Sequence, residues 1–181
     1  MKIFFFLLAF LVTVNVDAQK QGQALLDSLI AAVDQPKKDT LQIRLLNKIV
    51  LEGNKINPGE GLKKYADMGL QLATQMKWDR GIAVFHMDYG DIYSSAEKRD
   101  DAIREYENAL IILKKINDSF NICIAQNNIG TVYQHNGNYT NAIDYFNRTV
   151  TLAEAFNNTY LLALGYSNIA TVYTDQGDYT K

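Results

Sequence analysis

The chain repeats itself every forty residues, and that period constrains its fold more than any other feature. "NNIGTVYQHNGNYTNAIDYF" (Asn127 to Phe146) begins again one period later as "SNIATVYTDQGDYTK", which ends at Lys181. At this offset like residues fall in columns: Val50, Gly90, Gly130 and Ala170; Gly53, Tyr93, Tyr133 and Tyr173. Other columns hold Leu62, Ala102 and Ala142, then Ala66, Tyr106 and Phe146, then Gly69, Ala109 and Thr149. Self-similarity at about 20–50 residues marks supersecondary units that bury their apolar faces only by stacking.

Inside each copy the spacing is helical. Ala142, Phe146, Thr149, Ala153 and Phe156 share one stripe, and Ile122, Ala125, Ile129 and Tyr133 share the stripe of the helix before it. "HNGN" (His135 to Asn138) separates the two as a turn, while "IND" (Ile116 to Asp118) and "FNN" (Phe156 to Asn158) mark the junctions between copies. In the first copy "NPGE" places Asn57 as N-cap, Pro58 in the first turn and Glu60 at the third position. "RDD" at Arg99 to Asp101 reads as an acidic helix start. The expectation is an all-α fold of antiparallel helix pairs. Gly130 then marks a close approach to the backbone of the helix carrying Ala142, with Tyr133 and Phe146 filling the space beside it. Val50 and Leu62 stand where small residues are expected, so the first copy reads as a degenerate cap.

The expected layout is a secretory signal at 1–18, an amphipathic helix and linker at 19–38, and a capping repeat at 39–78. Repeats at 79–118 and 119–158 follow, and 159–181 supplies the first helix of an incomplete one. That ending leaves the Ile169–Tyr173 stripe without a covering helix, which suggests a fragment of a longer product or a truncated gene. At the other end, Lys2 precedes the apolar "IFFFLLAFLVTV", and Val16 and Ala18 fit cleavage before Gln19. At about 1.5 Å per residue this stretch reaches about 18 Å, short of the ~30 Å hydrocarbon layer. The mature protein is therefore expected to be exported, periplasmic or extracytoplasmic, touching a membrane only through a missing C-terminal segment.

Composition excludes several classes. A formal charge of −2 gives no basic excess for a phosphate backbone, so no nucleic-acid partner is expected. Cys123 is the only cysteine, hence no internal disulfide, and it reads as a small buried apolar residue. His86 and His135 occupy different positions of different repeats, and no grouping has metal-ligand spacing. Asp88 and Asp91 lie three apart on one helix and read as solvated charges rather than a catalytic pair. No enzyme, cofactor or metal is expected.

Asn128, Ile129, Gly130, Tyr133, Gly137, Tyr139, Ala142 and Phe146 resemble the pattern of the tetratricopeptide repeat family. The resemblance runs from about Leu41 to the C-terminus and implies a right-handed α-solenoid that binds partners on its concave face. The period is forty rather than the usual thirty-four or so, and His86 and Gln126 hold the family's tryptophan-like position. Carried onto this sequence, the groove stripe comprises Ile124, Asn127, Asn128, Thr131, Gln134 and His135 in the third copy. The second copy offers Asp88, Asp91, Ser94 and Ser95; the fourth offers Asn168, Thr171, Thr174 and Asp175; the first offers Arg44, Asn47, Lys48 and Lys55. The central copies lack the lysines and arginines with which some members clamp a terminal carboxylate. Their amides could instead bond the backbone of an extended protein or peptide ligand. "DSLIAAVDQPKKDTLQIRLLNKI" before such repeats is also similar to exported N-terminal regions of bacterial histidine kinases, cyclases and transcriptional regulators. A sensory or adaptor region of such a protein is the first functional expectation, and a free-standing periplasmic assembly adaptor the alternative.

Overall fold

The computed structural model describes residues 20–33 and 39–177. The signal segment at 1–18 and residues 178–181 lie outside the described residues. Residues 20–33 form helix α1. Seven further α-helices follow: α2 (Thr40–Ile56), α3 (Lys63–Gln75), α4 (Asp79–Ser95), α5 (Arg99–Lys115), α6 (Ser119–His135), α7 (Tyr139–Ala155) and α8 (Thr159–Asp175). Each packs on its neighbours in sequence, and the first helices of successive pairs also touch one another: α2 on α4, α4 on α6, α6 on α8. No strand occurs among the described residues, and no described helix is long and apolar enough to cross a membrane. The fold is an α-solenoid.

Turn chemistry sets the rhythm. Lys77, Glu97, Asn117, Gly137, Asn157 and Gly177 stand every twenty residues in the left-handed region, with φ between 52° and 74°. After all but the last, the next N–H reaches back five residues: Trp78 to Ala73, Lys98 to Tyr93, Asp118 to Leu113, Asn138 to Tyr133 and Asn158 to Ala153. This double reversal closes the orphan carbonyls of each helix end and starts the next helix at once. Asp118, Asn138 and Asn158 then cap their helices, accepting from the backbone N–H of Asn121, Asn141 and Leu161. Lys77 adopts φ 52° with an exposed side chain, which costs a residue with a Cβ about 1 kcal/mol. Lys77→Gly should therefore raise the urea midpoint by the equivalent of about 0.5–1 kcal/mol, and a lower midpoint would show that the lysine is held by other contacts.

The first connection differs from the expected capping pattern. Asn57 closes α2, its N–H bonded to Gly53 O, and does not cap α3. Gly59 has φ +130°, open only to glycine, so the chain passes through a 3₁₀ turn (Glu60–Leu62) before α3 begins. The side chain of Glu60 lies outside the described residues.

Packing also corrects the reading of the small residues. The ring of Phe146 itself sits on Gly130, where a Cβ would lie 2.6 Å from Cε1, so the glycine makes room for the ring and not for the opposing backbone. Tyr106 sits on Gly90 in the same way, and Phe85 on Gly69 at the junction of the first two pairs. Across the copies, bulk in one column is offset by smallness in its partner. Gly90 with Tyr106 and Gly130 with Phe146 become Val50 with Ala66 in the first copy, all buried. Tyr93 with Ala102 and Tyr133 with Ala142 become Gly53 with Leu62, again in contact. The first pair is thus an inverted version of the others. Leu26, Leu29 and Val33 of α1 complete its core with Ile43, Leu46 and Ile49.

Candidate functional site

Polar residues on the first helices of the pairs form a ladder with a step of forty-one residues. Asn47 Nδ2 donates to both carboxylate oxygens of Asp88 at 2.9 and 3.0 Å, joining α2 to α4. Ser95 Oγ donates to Asn54 Oδ1 at 3.1 Å across the same interface. Between α6 and α8, Asn168 Nδ2 donates to Asn127 Oδ1 at 2.6 Å and Gln134 Nε2 to Asp175 Oδ2 at 2.7 Å. The α4–α6 interface has a different rung: Asn128 Nδ2 donates to Asp91 Oδ1 at 3.2 Å, and Tyr106 Oη to the same oxygen at 2.5 Å.

The structure therefore places Asp88, Asp91, Asn127, Asn128, Gln134 and Asn168 in separate hydrogen-bonded rungs along the first helices, each with a partner on another helix. Asp88 is 1% exposed and Asn127 8%. Thr131 Oγ1 donates to Asn127 O and Thr171 Oγ1 to Ser167 O, each on its own helix. The bond between Asn168 Nδ2 and Asn127 Oδ1 occupies those two atoms between the helices. The expectation that Asp88 and Asp91 are solvated charges is corrected. A carboxylate with its partner forty-one residues away looks solitary along its own helix, and only the neighbouring helix shows that it is covered.

Burial holds Asp88 well above the usual carboxylate range; the Asn47 bonds oppose this and the Asp91 charge adds to it. Asp91 is pushed up to about 6, again by burial, against the lowering effect of the Tyr106 hydroxyl. The sign of the linkage is unusual for a carboxylate. The folded state holds the proton more tightly than the unfolded chain, whose aspartates titrate near ~3.9. Burial of Asp91 thus carries no charge penalty below about pH 4 and its full penalty above pH 6. Subtracting the Asp91→Asn stability from that of the wild type, by urea titration at pH 7.5 and pH 5, should show the wild type gaining at the lower pH. A difference independent of pH would contradict this.

Two further polar contacts join neighbouring helices. Cys123 is buried, its thiol pushed up to about 11 by desolvation, and Sγ donates to Thr149 O while Thr149 Oγ1 donates to Cys123 O. His86 Nδ1 lies 2.8 Å from Glu105 Oε2, joining α4 to α5. Sequence reasoning missed Asn54 and Tyr106 as groove residues. A comparison at forty-one residues would have found the pairs 47/88, 54/95, 127/168 and 134/175.

Helix pairs stacked so that their first helices touch and share a run of polar rungs define an α-solenoid repeat scaffold. The sequence profile of the tetratricopeptide repeat family matches residues 81–155 and 121–181, and the chain belongs to that family. No curated protein matches it at a significant level. Among solved structures it is similar to a signal transduction ATPase with numerous domains, from Pyrococcus horikoshii, that carries a tetratricopeptide repeat sensor. The TM-score is 0.70 at 16% identity over 86% of this chain, which spans only 24% of that protein. BtubC from P. vanneervenii is similar at a TM-score of 0.67 and 15% identity, covering 90% of this chain and 68% of the other. Tetratricopeptide repeats suggest a protein–protein interaction scaffold.

Proposed function

We propose that this chain is an exported scaffold that holds a protein or peptide segment along the face made by α2, α4, α6 and α8, as the sensory or adaptor region of a larger bacterial signalling protein. The observation that carries the reading is the hydrogen-bonded ladder, which links the first helices of four successive pairs into one preorganised polar surface. Preorganisation matters because a surface already fixed loses little freedom when a ligand arrives. Lys2, the apolar stretch after it and Ala18 support export. The tetratricopeptide repeat sensor of the Pyrococcus protein supports a signalling context by analogy of fold.

A photo-crosslinking residue placed in the native host at Thr131, on the ladder face, should capture a protein partner. The same residue at Ile111, 70% exposed on the outer side of α5, should not. Capture from Ile111 alone would overturn the reading. Alkaline phosphatase fused after residue 33 should be active outside the cytoplasm, and an inactive fusion would remove the export component.

A further inference from the structure

The ladder has a gap, and the gap lies in the middle of the groove. Its outer row is bridged at Asn54–Ser95 and at Gln134–Asp175, but the equivalent positions between α4 and α6 are Ser94 and His135, which share no hydrogen bond. Serine is too short to reach where glutamine reaches one pair later. The result is a cavity of about 150 Å³ lined by Asn54, Asp91, Ser94, Ser95, Asn128 and Thr131, together with Tyr106. A second cavity, lined by Ser94, Ser95 and His135 among others, adjoins it through the two serines.

Among the described residues the cavity's one charged group is Asp91, and both donors that reach it end on Oδ1. Oδ2 receives no hydrogen bond from any described residue. None of the ion pairs among the described residues includes Asp91 or Asp88. A half-buried carboxylate without a cation, opening on an unfilled cavity, is an incomplete pairing. The geometry points to this cavity as the receptor for a lysine side chain of the bound segment, its ammonium taken by Asp91 Oδ2 with the hydroxyls of Ser94 and Thr131 as further acceptors. An arginine fork fits less well, because Oδ1 is already occupied and a bidentate contact needs both oxygens. The inference rests on the ladder face being a peptide groove.

The test pans phage-displayed random dodecapeptides against the full chain, then measures a selected synthetic peptide and its lysine-to-norleucine counterpart. The selected peptides should share a lysine, and norleucine should weaken binding at least about tenfold. Asp91→Asn, which keeps an acceptor for Tyr106 and Asn128, should weaken it equally. So should Ser94→Gln, which fills the gap and leaves the carboxylate intact; thermal melts confirm that both variants fold. Selected peptides with no shared basic residue, or equal binding by Asp91→Asn, would overturn the lysine pocket and leave the groove standing. Enrichment of no peptide would count against the groove itself, and the pocket would fall with it.

Discussion

Phe146→Ala should lower the unfolding free energy by about 3–5 kcal/mol, read from urea titration. The ring is fully buried and seated on Gly130, and it shares its core with Ala142 of its own helix and Val172 of α8. Removing it opens a void between α6 and α7 and loosens the seat of the next helix, so the expected loss lies at the upper end for a single side chain. A loss below about 1 kcal/mol would mean that the solenoid can collapse into the space, and that the ring is not what sets the distance between the helices.

Gly90→Ala should have a comparable effect for the opposite reason. A methyl group there overlaps the ring of Tyr106, whose hydroxyl is tied to Asp91 on α4. The ring cannot swing aside without breaking that bond, and overpacking of this kind costs about 1–3 kcal/mol before the lost hydrogen bond is added. The melting temperature should fall by at least several degrees. An unchanged melting temperature would contradict the seat. Gly130→Ala offers a contrast: Phe146 has no polar anchor, so its ring can yield more and the loss should be smaller.

The fold was largely legible in the sequence because its signals are local and repeated. Asp79, Ser119 and Thr159 begin helices forty residues apart, each two residues after a left-handed turn residue, and the stripes of Ile129 and Phe146 face inward as their spacing requires. The first repeat was harder to read. Judged column by column, Val50 and Leu62 look like misfits; judged in pairs with Ala66 and Gly53, they conserve volume. The site was less legible still. A period of forty aligns each residue with its equivalent, whereas four of the rungs join a residue to a partner one position further on. Asp88 with Asn47 and Gln134 with Asp175 therefore never share a column, and the burial of Asp88 has no signature on its own helix. Gly59, by contrast, carried a visible signal: a glycine directly after a proline, where the chain turns before α3 can start.

A double-mutant cycle at one seat measures whether volume is traded across each helix pair. Gly130→Val and Phe146→Ala are each destabilising alone, but together they reproduce the Val50–Ala66 arrangement of the first repeat. If the two positions share one space, the double variant is more stable than the sum of the single losses allows, by about 1–3 kcal/mol. Losses that simply add would show that Gly130 and Phe146 do not meet, and would contradict the seating of the ring on the glycine.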